Sequence, residues 1–88
     1  MNMHKDSYFI TKDLYIASYI YSQDVQLVQL KKDINGNFLW FVFNDNEKCK
    51  KLEEKFWSKK ALVNLHSYLD GLKTLKQRLF QQSQKENY

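Results

Sequence analysis

The stretch from Asn35 to Phe43 (Asn-Gly-Asn-Phe-Leu-Trp-Phe-Val-Phe) constrains the fold more than any other part of the chain. Asn-Gly ahead of such an apolar run is the strongest short-range hairpin signal, because a type I′ turn needs positive φ at both central residues. A two-residue turn at Asn35-Gly36 pairs Ile34 with Asn37 and fixes the register behind it. Lys32 then faces Leu39, Leu30 faces Phe41 and Val28 faces Phe43 on one side of the hairpin. On the other side Asp33 meets Phe38, Lys31 meets Trp40, Gln29 meets Val42 and Leu27 meets Asn44. The first set is the expected core face. The second set holds Trp40 and Phe38 beside Lys31, and an uncovered aromatic face is normally used to bind something.

Helical signals surround this hairpin. Thr11 is a candidate N-cap, with Ile10 and Tyr15 as a hydrophobic staple. A helix from about Lys12 to Ser22 puts Leu14, Ile16, Ala17, Ile20 and Tyr21 on one broad face, with Tyr15 and Tyr19 opposite. The first strand of the hairpin is expected over Val25–Lys32. Asp45 caps a second helix, about Asn46 to Ser58, with Glu47 in its first turn. Its apolar line is Cys49, Leu52 and Phe56, with Trp57 at the edge. Asn64 caps a third helix, about Leu65 to Gln82, whose apolar side reads Leu65, Tyr68, Leu69, Leu72, Leu75, Leu79 and Phe80. The polar tail from Gln81 to Tyr88 is expected to fray. A hairpin of two strands is not stable alone and must pack on helices. The expected fold is therefore α+β: helix, β-hairpin, helix, helix in one compact domain, with the helices mainly on one face of the hairpin. That single domain takes in residues 1–88, with an ordered core over about 8–82 between polar tails.

Eighty-eight residues carry a net charge of +4 and a pI of about 9.2, a mild bias toward polyanions. Cys49 is the only cysteine, and with two distant histidines it assembles neither a disulfide nor a zinc motif. His4 and His66 lack the spacing of a triad or ligand set, so neither catalysis, nor a metal, nor a cofactor, nor a small-molecule substrate is expected. Met1 to Ser7 lacks the apolar core of a signal peptide, and no apolar run approaches the ~20 residues that cross a membrane. The expected setting is cytoplasmic.

From Phe9-Ile10-Thr11-Lys12-Asp13-Leu14-Tyr15-Ile16-Ala17-Ser18-Tyr19-Ile20 the chain resembles the opening of small bacterial, archaeal and phage proteins grouped as domain of unknown function 5659. The likeness continues through Phe41-Val42-Phe43-Asn44-Asp45, Cys49, Leu52 and Phe56-Trp57. It ends at Leu72-Lys73-Thr74-Leu75-Lys76-Gln77-Arg78-Leu79. It covers roughly positions 8 to 80. Asn64-Leu65-His66 stands where that family often has a proline, a change that touches a helix cap only. The resemblance implies a small cytoplasmic or mobile-element protein and supplies no catalytic residues.

The sharpest electrostatic feature is the row Lys48, Lys51, Lys55 and Lys59, which repels itself and is able to track a phosphate backbone. The plainer reading is a solvated helix face relieved by Glu47 and Glu54. Trp40, Phe38 and Lys31 form a candidate stacking platform for bases, set against burial of Trp40 in the core or in a homodimer interface. Tyr19 is the better contact candidate of the two helix-one tyrosines. Lys73 and Arg78 flank Lys76, whose stem is expected to snorkel from the apolar side. Arg78 is the only arginine, which disfavours base-specific duplex reading. Leu65, Leu72 and Leu79 lie seven apart and suit a helical dimer, although packing on the hairpin explains them more simply. The leading expectation is a non-enzymatic nucleic-acid-binding protein. The rival is a protein-interaction module, a homodimer or an inhibitor or accessory factor, working through the Phe38–Trp40–Val42 face.

Overall fold

The computed structural model describes residues 7–86, so His4 and most of the N-terminal tail lie outside the described residues, as do residues 87–88. The order is β1 (Phe9–Thr11), α1 (Leu14–Ser22), β2 (Leu27–Lys32), β3 (Leu39–Phe43), α2 (Asn46–Trp57) and α3 (Leu65–Glu86). The hairpin β2–β3 is there, and β1 adds a third antiparallel strand on the far side of β3, giving the sheet order β1-β3-β2. All three helices contribute to one core on a single face of this sheet. The α+β architecture follows.

Strand β1 is the main departure from the sequence reading. Phe9-Ile10-Thr11 is too short for an alternation pattern to be seen, and it pairs with Phe43, Val42 and Phe41. Thr11 therefore ends a strand instead of capping a helix. Its Oγ1 accepts from the Asp13 amide at 3.1 Å, and Asp13 is the true N-cap, its Oδ1 accepting from Tyr15 N at 2.8 Å and Ile16 N at 3.0 Å. Moving the cap by two residues removes the staple, and Ile10 and Tyr15 are both exposed.

The register holds from Lys32↔Leu39 to Gln29↔Val42 and then slips. A bulge at Val28 sets Leu27, not Val28, against Phe43, so Leu27 packs on the core and Val28 is exposed. The turn is also not type I′, since neither Asn35 nor Gly36 has positive φ. Asp33 N donates to Phe38 O at 3.1 Å and closes a wider loop over Ile34–Asn37. That loop has the same centre as the expected turn, which is why the pairing next to it is unchanged.

Helix α1 lies in the middle of the helical layer. Ile16, Ala17, Ser18, Tyr19 and Ile20 are all buried, because the sheet, α2 and α3 surround it. Helix α3 packs mainly along α1, and Arg78, Gln81 and Gln82 toward its end share a depression with Val28, Gln29 and Leu30 of β2. In the contact between them Gly71 faces Ser18, where an added Cβ would lie 3.3 Å from Ser18 O and 3.4 Å from Tyr21 Cδ2. Asn64 Oδ1 caps α3 by accepting from Ser67 N at 2.9 Å. Leu75 is fully buried, with Tyr68 and Leu79 packed beside it. Leu65, Leu69 and Phe80, expected on the same apolar side, are instead exposed. The helix also continues to Glu86 where fraying was expected from Gln81.

Helix α2 begins at Asp45, whose side chain accepts from Lys48 N at 3.2 Å. It ends in a Schellman motif: Lys60 N donates to Lys55 O at 2.9 Å and Lys59 N to Phe56 O at 3.2 Å. Lys59 thus lies beyond the helix, at φ 63°, and is not the fourth member of a helical row. A left-handed position favours glycine, so Lys59→Gly is expected to stabilise the domain by about 0.5–1 kcal/mol. A urea melt measures this directly, and a lower midpoint for the variant would contradict the assigned cap.

Candidate nucleic-acid interface

Strand β3 separates the two uses of the sheet. Phe41 and Phe43 point into the core, while Trp40 and Val42 point to the other face. Val42 is buried between Ile10 of β1 and Gln29 of β2, its partners in the pairing. Trp40 lies opposite Lys31 and is half-buried, so it is neither core nor free surface.

The loop fixes the indole. Asp33 Oδ1 accepts from Trp40 Nε1 at 2.8 Å, and its Oδ2 accepts from Asn35 N at 3.1 Å. One carboxylate therefore closes the turn and orients the tryptophan. Phe38 meets Trp40 edge-on, with centroids 5.2 Å apart and planes at 69°. Lys12 places Nζ 4.7 Å from the centre of the Phe38 ring, within cation–π range. Gly36 matters for space and not for φ: an added Cβ would come within 2.7 Å of the Phe38 ring and 2.9 Å of Asp33 Oδ2. Ile10, Lys31, Ile34 and Trp40 line an open depression of about 550 Å³ on this face, with Ile34 exposed at its rim.

Not all of the residues singled out from the sequence gather here. Lys31, Trp40 and Phe38 share the platform. Tyr19 does not: it is 2% exposed and packs 6.2 Å from the Phe56 ring, with its phenol pushed up by burial. Its expected contact role is withdrawn, and Tyr15 is the exposed member of the pair. Lys48, Lys51 and Lys55 are exposed on α2, where Lys48 Nζ donates to Gln23 O at 3.3 Å. Lys51 lines a separate depression with Trp57, which is exposed and meets Phe56 edge-on at 5.4 Å. Lys73 and Lys76 are exposed on α3, and Arg78 lines a third depression beside Gln29 and Leu30.

Two contributors escaped the sequence reading. Lys12 lies in the loop between β1 and α1, and its link to Phe38 depends on the unseen strand. Asp33 had a usable signal, being an Asx residue at a turn and cross-strand from Phe38.

Cys49 is fully buried, and its thiol donates to Asn44 O at 3.3 Å. Burial first, and the nearby Asp45 carboxylate second, push the thiol up to about 11, with Lys48 pulling the other way. It is a core residue and not a nucleophile. Among the described residues no group of three or more His, Cys, Asp or Glu is arranged to hold a metal, and no helix is long and apolar enough to cross a membrane.

A family model described as Domain of unknown function (DUF5659) matches residues 6–81. The chain belongs to this family. The match runs from β1 into the last turns of α3, so the platform and the whole core fall inside the shared domain. No curated protein and no solved structure matches the chain.

Proposed function

We propose that this chain is a small, non-enzymatic nucleic-acid-binding protein that takes single strands on the outer face of its sheet. The observation carrying this reading is the Phe38–Trp40 pair, held in place by Asp33 and flanked by Lys12 and Lys31 on the face of the sheet opposite the core. Flat aromatic groups beside cations suit bases and phosphates together, and stacking needs no sequence code. The lysines of α2 supply a weaker, general attraction. Lys48, Lys51 and Lys55 are interleaved with Glu47, Glu53 and Glu54, so the helix face is largely neutralised and serves the sheet site as a supplement. A reducing, cytoplasmic setting goes with this reading, because the single cysteine is used as a buried thiol.

Fluorescence anisotropy with a labelled oligo-dT and a duplex of equal length tests it. Affinity for the single strand is expected to fall steeply with salt. Trp40→Ala is expected to cost about 1–3 kcal/mol of binding, with Trp40→Phe keeping most of it. Lys31→Gln is expected to reduce the salt slope by about one. Absence of binding at low salt from a folded protein would transfer the aromatic face to a protein partner. Binding indifferent to Trp40→Ala would detach nucleic acid from the platform.

A further inference from the structure

Helix α3 carries a second unpartnered surface, remote in sequence from the platform. The helix has 22 residues, and the α1 that supports it has nine. At 1.5 Å per residue that is about 33 Å of helix against about 14 Å of α1, with β2 beside Arg78, Gln81 and Gln82 near its end. Leu75 and Gly71 point at α1 and are buried, with Tyr68 and Leu79 packed beside them. Turned roughly 100° from them lies a row at spacings of four, three, four and four: Leu65, Leu69, Leu72, Lys76 and Phe80. Leu65 is 70% exposed, Leu69 50% and Phe80 64%. The connector just before the helix adds exposed Leu62. Propensity does not require this row, since polar residues serve an exposed helix face equally well.

The charges beside the row name the occupant. Asp70 is the one acidic residue in its N-terminal half, turned about 120° from the row and 4.0 Å from His66 Nε2 one turn before it, and Lys73 and Lys76 lie in its C-terminal half. A second α3 laid antiparallel brings Asp70 of each copy toward Lys73 of the other, sets Leu65 against the Phe80 end and lays the stem of Lys76 along Leu69. The helix dipoles also oppose favourably in this arrangement. A parallel pair would instead stack Lys76 on Lys76. The row is thus complementary to itself under a two-fold axis near Leu72, which is what an isologous interface requires. The exposed leucines and phenylalanine offer on the order of 400 Å² of apolar surface per copy, the size at which patches on monomers are commonly functional. That is less than the roughly 800 Å² per partner of a standard interface, so the pairing is a weak, concentration-dependent one.

We infer that α3 is the dimerisation element of this protein, pairing antiparallel with α3 of a second copy through Leu65, Leu69, Leu72 and Phe80. The dimer leaves both sheet faces free, so it would present two platforms to one strand and gain by avidity whatever each platform binds. The pairing does not depend on the nucleic-acid reading.

Sedimentation velocity of the full chain from about 1 µM to several hundred µM tests the inference. The expected result is a monomer–dimer equilibrium that Leu69→Lys and Phe80→Lys each weaken at least tenfold. Far-ultraviolet circular dichroism and the urea midpoint of these variants are expected to stay close to the parent, because both side chains are exposed in the monomer. Asp70→Lys and the double change Lys73→Asp with Lys76→Asp are each expected to weaken self-association, and mixing the two proteins is expected to restore a heterodimer. Orientation is read by mixing Leu65→Cys with Phe80→Cys under mild oxidation, where cross-linking between the two variants marks the antiparallel form. A monomer at every concentration, or a dimer untouched by the two lysine substitutions, would overturn the inference. Cross-linking of Phe80→Cys only with itself would overturn the antiparallel arrangement.

Discussion

Phe43→Ala is expected to leave the domain largely unfolded in mild urea and close to its stability limit in water. Phe43 is fully buried and sits on the central strand, with Phe9 on one neighbour and Leu27 on the other. It is also where the bulge changes the register, so it holds the sheet at its least regular point. Removing a buried phenylalanine ring costs about 3–5 kcal/mol, the lost transfer energy plus the cavity. The whole stability of an 88-residue domain is roughly 4–13 kcal/mol at 0.05–0.15 kcal/mol per residue. One side chain therefore accounts for a large share of it. Phe43→Leu keeps most of the volume and is expected to cost less than about 1.5 kcal/mol.

Urea melts give the difference, and Cys49 gives an independent measure. Its thiol is fully buried and held in the protonated form by burial, so a thiol reagent reaches it only when the core opens. Labelling is expected to be on the order of a hundredfold faster in Phe43→Ala, following the loss of about 3 kcal/mol at 1.4 kcal/mol per tenfold. An alanine variant that keeps the parent midpoint and labelling rate would mean that the phenylalanine is not the centre of this core.

The fold was legible where a local rule had a single outcome. Asn35-Gly36 located the hairpin and its near register, and the symmetry of the loop kept that register even though the turn type differed. Asp45 and Asn64 were found as caps because short polar side chains before apolar periodicity have few other uses. The bulge at Val28 was not legible, because the sequence gives no sign of an extra residue on one strand. Strand β1 was hidden by its length. Tyr19 was misread because facing away from Leu14 and Ile20 means facing solvent only when a helix has one buried side. Helix α1 has several, and α2 covers the tyrosine with Phe56. The same excess of possible partners left the apolar side of α3 ambiguous. Seven residues suited the core, but of these only Leu75 is fully buried and Tyr68 and Leu79 pack against it. On the platform, Trp40 and Lys31 were readable from register, whereas Lys12 required the tertiary arrangement.

Gly71→Leu is expected to cost about 3 kcal/mol or more, and the comparison with Gly71→Ala shows why. In an exposed helix interior, alanine in place of glycine stabilises by roughly 0.5–1 kcal/mol through chain entropy. At Gly71 the new Cβ would sit 3.3 Å from Ser18 O, a backbone oxygen that no rotamer change can move. The gain and the crowding are of similar size, so Gly71→Ala is expected to be near neutral. Leucine adds three more carbons in the same direction, into space held by α1. The helices must separate, and separation exposes the fully buried Leu75 and Ile20 together. Ser18 cannot yield locally either, because it is fully buried and its hydroxyl donates to Leu14 O at 2.8 Å within the helix. Urea midpoints of the two variants decide the matter. Near-neutral alanine with a severe leucine places the limit in the contact between α1 and α3, while equal and small effects would mean that α3 does not rest on α1 through this glycine. The loss also bears on binding. Platform residues Phe38, Trp40 and Lys31 lie on the opposite face of the sheet from this contact, so a saturating single-stranded oligonucleotide is expected to raise the midpoint of Gly71→Leu by the same increment as that of the parent.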